Sequence, residues 1–336
     1  MISTHYDVVI LGAGPAGLAC AIELKQSKLQ VLLIDKKAEI GPKTCAGGLT
    51  NLTKDYVIPN EKTRSFYQQK IVIKDKAYSI KLACPIRTIT RLDLGQYQLQ
   101  QLQDASNITV LTNTTVQEIQ QNKVITTEGQ HIHYNYLVGA DGSTSLVRKS
   151  LGLTSKHCIG LYYNVPVITN ECVWYLKYKT LKTGYIWVFP HKEHTNIGVY
   201  FNPLILNSKK ARKELENYLT SKGYTFLNKE LHGAPICYNY KGYQFGSVFL
   251  AGDAAGLTSK GTGEGISYAL ISGKEIARKI MDKNYTPLEL NNMIRIKKRQ
   301  DKLFKILETF PFMHAFLYTV FVQLMKIKSF QAYFGV

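Results

Sequence analysis

The chain has 336 residues, 45% of them hydrophobic, which is enough to form one large domain or two coupled ones and excludes a disordered or fibrous protein. Its formal net charge of +18 favours anionic partners such as anionic lipid headgroups, nucleic acid or an acidic electron-carrier protein. Its six cysteines contain no C-x-x-C pair, so the spacing excludes the usual zinc and iron–sulfur sites, and we expect reduced thiols and no metal.

The amino terminus carries no recognisable targeting signal. Met1 is followed almost directly by the apolar stretch 7–11, without a basic segment, a long hydrophobic segment or a cleavage site. We therefore expect a cytoplasmic protein, or one attached to the inner face of the membrane.

A glycine-rich turn follows the first predicted strand, 7–11. The run Gly12-Ala-Gly14-Pro15-Ala16-Gly17 leads into a helical pattern, and a second strand, 30–34, ends at Asp35. Glycines at this spacing let the backbone approach a pyrophosphate at the helix amino terminus. An acid about twenty residues further on accepts hydrogen bonds from a ribose. This order of elements predicts a dinucleotide-binding unit.

Two later segments also end a strand in an acid. Residues 136–148 contain a strand and the turn Gly-Ala-Asp141-Gly, and residues 248–256 contain a strand and Gly252-Asp253 before a helix. The three motifs, in this order, resemble those of the flavoprotein hydroxylase and reductase superfamily. The resemblance implies FAD as the cofactor, with Asp253 beside its ribityl chain.

The middle of the chain is rich in strands. Residues 70–82 predict two strands, residues 158–200 predict several aromatic-rich strands, and residues 209–221 predict a charged helix at their edge. We group the strands into a substrate sheet.

One strand of this region has aromatic residues at every second position. Alternation places Tyr185, Trp187 and Phe189 on the same face, which forms either an aromatic core under the sheet or a wall for a long apolar ligand.

Three segments narrow the resemblance to one family. Tyr185-x-Trp187-x-Phe189-Pro, followed by Gly198, resembles a motif of the geranylgeranyl reductases, flavoenzymes that hydrogenate isoprenoid carbon–carbon double bonds. Residues 43–49 are similar to the cysteine-glycine segment beside the flavin, although Ala46 stands where a further glycine often follows. Residues 261–269 are similar to the family's loop and helix over the flavin.

The resemblance implies an α/β fold in two interleaved parts with a helical carboxyl terminus. We expect a Rossmann-type FAD-binding domain (1–66, 86–152 and 246–284), an α+β antiparallel-sheet substrate domain (67–85 and 153–245), and a carboxyl-terminal helical segment (285–336).

The resemblance also implies the site residues. The helix beginning near Gly263 would point its positive end at the flavin. Arg91 matches an arginine near the FAD phosphates, or is a solvated surface arginine. The substrate would contact Tyr185, Trp187, Phe189, Gly47 and Gly48. FAD would contact Gly12, Gly14, Pro15, Ala16, Gly17, Asp35, Lys36, Cys45, Ala46, Arg91, Val116, Asp141, Gly252, Asp253, Gly263, Gly265 and Ile266.

In this family's chemistry, reduced flavin delivers a hydride to one alkene carbon while a proton reaches the other. Cys45 is a candidate proton donor or a gauge of the cavity's width, although buried cysteines also serve as small hydrophobes. We expect Glu264 to be a helix-end carboxylate rather than an acid catalyst. Only one nucleotide-binding unit is visible, so the expected electron donor is either NAD(P)H or a reduced ferredoxin or flavodoxin.

Two other functions are compatible with the flavin motifs. One is an FAD-dependent aromatic monooxygenase (hydroxylase) or halogenase, and the other is a flavin-binding interaction protein without turnover. Tyr185 and Phe189 depart from the halogenase pattern Trp-x-Trp-x-Ile-Pro, and a complete flavin site is unexpected in a scaffold. The main prediction is reduction of isoprenoid double bonds.

The carboxyl-terminal region is first basic and then apolar. Six Lys and Arg residues lie between 295 and 305, and Phe310-Pro311 separates them from the apolar run 312–325. That run is shorter than the roughly 20 residues that cross a bilayer. It predicts either peripheral membrane contact or a helix pair that closes the substrate cavity. Only charge favours nucleic acid, which we do not expect as a partner.

Overall fold

The structure is a computed structural model that describes residues 4–53, 56, 58–226 and 230–334, without the side chains of residues 333 and 334. Its strands are β1 (His5–Leu11), β2 (Val31–Ile34), β3 (Gly48–Leu49), β4 (Arg64–Ile73), β5 (Lys76–Thr88), β6 (Ile108–Leu111), β7 (Val116–Gln120), β8 (Lys123–Thr126), β9 (His131–Gly139), β10 (His157–Val165), β11 (Cys172–Leu176), β12 (Tyr185–Pro190), β13 (Thr195–Phe201), β14 (His232–Cys237), β15 (Gln244–Phe245) and β16 (Val248–Leu250).

Helices connect the strands and form the carboxyl-terminal segment. They are α1 (Pro15–Leu24), α2 (Arg91–Gln100), α3 (Leu146–Ser150), α4 (Tyr178–Leu181), α5 (Ser208–Ser221), α6 (Gly252–Ala255), α7 (Ile266–Met281), α8 (Leu288–Thr309), α9 (His314–Leu324) and α10 (Lys328–Phe334).

The first sheet has a parallel centre. Strands β16, β9, β1, β2 and β6 run parallel in this order, with β15 paired antiparallel to β16 and the β7–β8 hairpin joined antiparallel to β9. Helices α1 and α7 pack together over one face, around Val8, Ile10, Leu18 and Ile276. The central strands consist almost entirely of buried residues, as expected where both faces of a parallel sheet are covered. This is the Rossmann-type fold that the sequence predicted.

The second sheet has the strand order β14-β10-β13-β12-β11-β4-β5-β3. Its pairings are antiparallel except for β4 with β11, which is parallel, so the predicted antiparallel sheet is in fact mixed. The long connection from β5 back to β11 through the first sheet allows this parallel pairing, because parallel neighbours require a crossover. Strands of the predicted substrate segments belong to this sheet except β15, which joins the first sheet, and β3, from a predicted FAD segment, joins the second. The division into domains stays a prediction.

Alternation along β12 assigns its side chains to two different cores. Tyr185, Trp187 and Phe189 belong to the cluster that faces α9, whereas Ile186 and Val188 belong to the cluster under α5. The aromatic residues therefore share one face of the sheet, as the pattern predicted.

Helix α7 begins at Ile266, three residues later than predicted. Gly263 has a φ of +69° and Gly265 is also non-helical, so the backbone cannot enter the helix before residue 266. At the other end of the chain, α8 ends at Thr309 and α9 has only 11 residues. Within the described part of the chain, no helix is both long and apolar enough to cross a membrane.

Candidate active site

The glycine-rich turn joins β1 to α1 at the carboxyl end of β1, a central strand of the first sheet. Gly12 has a φ of +102°, and a Cβ there would lie 2.4 Å from the Ala140 carbonyl oxygen. A Cβ on Gly14 would meet no atom within 4 Å, so this position faces open space. Pro15 begins α1, where a missing N–H costs no helical hydrogen bond. The turn therefore presents bare backbone and a helix amino terminus, which is the chemistry of a phosphate cradle.

Asp35 follows β2 and is hydrogen-bonded to this turn. Its Oδ2 accepts a hydrogen bond of 2.7 Å from the Ala13 amide, and its Oδ1 accepts one of 2.8 Å from the Lys37 amide. The carboxylate is thus held beside the glycine turn, as expected of an acid that binds a ribose.

Asp253 lies in α6, just after β16. Its Oδ2 is 3.0 Å from Lys43 Nζ and accepts a 3.0 Å hydrogen bond from Ser143, and its Oδ1 accepts a 2.6 Å bond from Thr258. Burial by itself would raise the pKa of Asp253, but Lys43 and the hydrogen bonds outweigh it and lower the pKa. Asp253 is therefore an anion at neutral pH, although its side chain is only 15% exposed.

Asp141 and Arg148 brace the segments around Asp253. Asp141 Oδ2 accepts hydrogen bonds from the amides of Leu146 and Val147 at the start of α3. The buried Arg148 donates to the carbonyls of Ala254, Thr154 and Asn239. The importance of Arg148 was not predictable from the sequence, because a lone arginine at a helix start gives no local sign of burial.

A cavity of about 540 Å³ lies between the two sheets and brings most predicted site residues together. The predicted residues that line it are Gly12, Gly14, Pro15, Ala16, Asp35, Lys36, Cys45, Ala46, Gly47, Gly48, Arg91, Val116, Asp141, Tyr185, Trp187, Phe189, Asp253, Gly263, Gly265 and Ile266.

Gly17 and Gly252 are predicted cofactor contacts that are not among the residues lining this cavity, and their contact with the cofactor stays a prediction. A Cβ on Gly17 would lie 1.9 Å from the Gly12 carbonyl oxygen, and one on Gly252 would contact Ala16 and Ala269. These two glycines allow close packing next to the cavity.

The segment from Cys45 to Gly48 is pressed against the second sheet. The Sγ of Cys45 accepts a 3.4 Å hydrogen bond from the Gly47 amide, and a Cβ on Gly47 would come within 2.7 Å of the His191 ring. Gly48 lies directly against Phe189. Only a residue without a side chain fits at Gly47 and at Gly48, and the segment forms one side of the cavity at the aromatic strand.

The part of the cavity wall next to this segment is aromatic. The ring centroid of Tyr185 is 5.6 Å from that of Trp174 and 5.5 Å from that of Tyr200, and Trp187 packs beside it. The Tyr185 hydroxyl donates to the Thr262 carbonyl, which ties the wall to the loop before α7. The result is a long apolar surface on which the polar atoms of Tyr185, Trp187 and Tyr200 are hydrogen-bonded, whereas the buried Trp174 Nε1 has no partner among the described residues.

Glu264 also lines the cavity, in the loop just before α7. Burial raises its pKa to about 7, although a hydrogen bond from the Thr50 hydroxyl lowers it. A carboxyl group with this pKa is partly protonated at neutral pH and can act as an acid. We expected a helix-end carboxylate from the sequence, which contains no sign of this burial.

Comparisons with known proteins agree with this geometry. Residues 6–160 match the family model described as pyridine nucleotide-disulphide oxidoreductase. The chain is 32% identical over 284 residues to an uncharacterized protein of Methanosarcina barkeri, covering 80% of this chain and 72% of the relative. It is 27% identical over 321 residues to the digeranylgeranylglycerophospholipid reductase of Methanococcus vannielii, covering 85% and 80%.

Solved structures share the fold. A geranylgeranyl bacteriochlorophyll reductase-like protein of Thermoplasma acidophilum has a TM-score of 0.79 at 20% identity, covering 96% of this chain and 91% of that one. A probable FAD-dependent monooxygenase of Pseudomonas aeruginosa has a TM-score of 0.69 at 16% identity, covering 99% and 100%. At these identities the likeness concerns the fold alone, which reductases and monooxygenases have in common.

Fold and site together define an FAD-dependent oxidoreductase. Within that class, the similarity over more than four fifths of the chain to a named reductase identifies the family. The chain belongs to the geranylgeranyl reductase family of FAD-dependent oxidoreductases.

Proposed function

We propose that this enzyme reduces carbon–carbon double bonds of an isoprenoid, geranylgeranyl-type chain. The observation that carries the proposal is that one cavity joins the dinucleotide turn, the Cys45–Gly48 segment and the aromatic wall of β12. A long apolar chain lying along Tyr185, Trp187 and Phe189 would be held against the same cavity that takes the cofactor.

The residues of the cavity fit FAD. The open space at Gly14 accommodates a pyrophosphate, and Asp35 is already held beside it for the adenosine ribose. Asp253 and the unpartnered Nε of Arg91 offer polar contacts further along. When bound, reduced FAD supplies the hydride. The protein would then orient the chain and exclude water.

Two side chains can supply the proton that must reach the second alkene carbon. We propose Cys45, half-buried beside Gly47, as the catalytic residue. Glu264, with its raised pKa, is a second acid in the same cavity. Both are tested below by substitution.

The electron donor is proposed to be NAD(P)H or an acidic reduced ferredoxin or flavodoxin. The net charge of +18 would speed association with an acidic carrier, an effect that added salt suppresses.

We also propose that the enzyme touches a membrane through the corner between α8 and α9. Apolar side chains are exposed there, with Phe312 82% and Phe316 62% exposed. Basic residues of α8 and the α9–α10 turn flank them, including the exposed Lys302, Lys305 and Lys326. An apolar surface framed by cations suits the interface of an anionic bilayer.

The same helix, α9, reaches the substrate side of the molecule. Tyr318 and Val322 are buried in the cluster that contains Tyr185 and Trp187, whereas Phe316 and Val320 are exposed. Both expectations for this segment, membrane contact and closure of the cavity, can therefore hold at once. A chain anchored in the bilayer would have a short path to the aromatic wall.

Mass spectrometry of a geranylgeranyl lipid tests the main proposal. The FAD-loaded protein is reduced with dithionite without air, and a parallel aerobic sample receives NAD(P)H. Anaerobic gains of about 2 Da per double bond support the reductase, because only hydrogenation produces them. No anaerobic gain, with about 16 Da gained in air, would replace it with a monooxygenase.

A further inference from the structure

A second cavity, of about 340 Å³, lies beside the first and shares Lys37, residues 42–45, Arg91 and Tyr162 with it. We call it the histidine pocket, after His191, His194 and His232. Asn164 and Asn196 contribute to its floor from β10 and β13, and Lys37 and Arg91 line it from the first sheet's side. Its lining is far more polar than the aromatic wall next to it.

The charged side chains that line the histidine pocket are cations, although Lys43 is paired with Asp253 and the nearby carboxylates of Asp93 and Glu193 act on His191 and His194. Lys37, Lys43 and Arg91 line it, and among the described residues no aspartate or glutamate does. The carboxylate of Glu230, 81% exposed, is 3.9 Å from His232 at the rim. The described part of the chain contains no histidine, cysteine or carboxylate cluster suited to a metal ion. The pocket therefore attracts anions rather than cations.

A chain of hydrogen bonds leaves the amide N–H groups of Asn164 as hydrogen-bond donors at the floor of the pocket. Trp187 Nε1 can only donate, and it donates to Asn196 Oδ1 at 2.7 Å. Asn196 Nδ2 must then be the donor to Asn164 Oδ1, at 3.0 Å. Since its oxygen is engaged, Asn164 offers the pocket its amide N–H groups. The orientation of both amides thus follows from the indole N–H of the substrate wall.

Two buried polar atoms of the lining have no hydrogen-bond partner in the protein. They are Arg91 Nε and Nδ1 of His191, whose residue is only 3% exposed. His191 Nε2 donates to the Ala46 carbonyl, so Nδ1 carries the free lone pair while the ring is neutral. Burial, and to a lesser degree His194, lower the pKa of His191 to about 4. His191 can therefore accept a hydrogen bond from a bound hydroxyl or water, and Arg91 can donate one.

The polar pocket continues the substrate face of the sheet. Along β12 and just beyond it, Trp187 and Phe189 are followed by His191. On the neighbouring strand β13, Asn196 is paired with Phe189 and accepts a hydrogen bond from Trp187. A ligand lying along this face meets aromatic rings first and, at its end, the Asn164 amide, cations and the acceptor Nδ1 of His191. That is the pattern of an apolar chain with an anionic head.

We propose that the histidine pocket binds the phosphate or diphosphate group of a ligand that extends into the flavin cavity. This inference rests on the proposed function, which makes the head group of the isoprenoid substrate the first source of the phosphate. The phosphates of NAD(P)H share this chemistry and are the second source. Phosphate oxygens match the Asn164 amide, the Arg91 guanidinium and the Lys37 ammonium.

Asn164→Asp tests the proposal with little change of shape. The new carboxylate still accepts the hydrogen bond from Asn196, so the hydrogen-bond chain to Trp187 is kept. The amide N–H group that faced the pocket is replaced by a negatively charged oxygen. Lys37→Glu is a second test at an exposed side chain. Lys209→Glu, an equal charge reversal at an exposed position of α5, is the control.

Calorimetry on the FAD-loaded protein measures binding of pyrophosphate, geranylgeranyl diphosphate, geranylgeraniol and NADPH. We expect Asn164→Asp and Lys37→Glu to weaken pyrophosphate at least about tenfold, the loss of one charge-assisted hydrogen bond, and Lys209→Glu to leave it unchanged. Geranylgeraniol, which has no phosphate, should bind equally to all variants.

The other two ligands identify the source. A loss confined to geranylgeranyl diphosphate assigns the pocket to the substrate head, and a loss confined to NADPH assigns it to the donor. Unchanged affinity for every phosphate ligand in both pocket variants would overturn the proposal. Binding is measured without turnover, so the phosphate site and the proposed function can fail separately. If phosphate binding depends on Asn164 but the protein reduces no isoprenoid, the proposed function is refuted and the phosphate site is retained.

Discussion

Gly48 and Phe189 are in such close contact that a Cβ on the glycine would lie 2.6 Å from Cε2 of the ring. Strand β12 and the Cys45–Gly48 segment therefore form one unit, although they are more than 130 residues apart in sequence. The position of the aromatic wall relative to the cysteine depends on this contact.

We expect Gly48→Ala to displace the Phe189 ring and lower the free energy of unfolding by about 1–3 kcal/mol, the usual effect of overpacking. Urea unfolding of the protein measures this. The double variant Gly48→Ala/Phe189→Leu should recover much of the loss, because leucine leaves room for the methyl group. If the single variant is as stable as the wild type, the contact is looser than the structure shows.

Asp253→Asn should weaken FAD binding. The substitution removes the carboxylate that Lys43 pairs with and that two hydroxyl groups donate to, so Lys43 and the start of α6 lose their fixed arrangement. Hydrogen bonds to charged groups contribute about 1.5–3 kcal/mol, which predicts at least about a tenfold rise in the dissociation constant for FAD. Quenching of flavin fluorescence on titration provides the measurement, and Asp282→Asn in an exposed turn is a control that should bind FAD normally.

The pKa of Glu264 predicts a pH profile. The protonated acid predominates below pH 7 and the carboxylate above it, so reduction that draws its proton from Glu264 should slow as the pH rises through about 7. Glu264→Gln should remove this inflection. Thr50→Val should move it to higher pH, because the Thr50 hydrogen bond lowers the pKa. Pre-steady-state oxidation of the reduced flavin by substrate would measure it, and an identical profile in all three proteins would exclude Glu264 as the donor.

Substitution of Cys45 separates its two proposed roles. If the thiol donates the proton, both Cys45→Ala and Cys45→Ser should slow turnover by about 10²–10⁴-fold while FAD still binds. A Cys45→Ala enzyme with normal turnover but altered preference for chain width would show instead that the side chain only sets the size of the cavity. Product analysis by mass spectrometry distinguishes these results.

Phe312→Asp combined with Phe316→Asp should detach the protein from vesicles containing about one quarter anionic lipid. Burial of a phenylalanine contributes about 1.5–3 kcal/mol, so partitioning should fall at least about tenfold. Leu288→Asp is the control, since Leu288 is 71% exposed and begins the 22-residue helix α8, at the end opposite to the α8–α9 corner. Sedimentation with vesicles measures binding, and equal sedimentation of all proteins would remove the membrane proposal.

Much of the fold was predictable because its signals are local. The glycine turn, the strand after it and Asp35 lie within about thirty residues, and each shapes the backbone next to it. The shared face of Tyr185, Trp187 and Phe189 follows from the two-residue period of a strand. The predicted start of α7 was wrong because Gly263 and Gly265, which suited the motif, adopt non-helical backbone angles.

Other properties depend on segments that the sequence leaves far apart. Lys43 and Asp253 are 210 residues apart, and their pairing keeps the buried carboxylate ionised. The raised pKa of Glu264 and the positive histidine pocket likewise exist only where the two sheets meet. A sequence determines which groups are available and the local backbone that carries them, whereas desolvation and charge pairing are set by distances that packing alone creates.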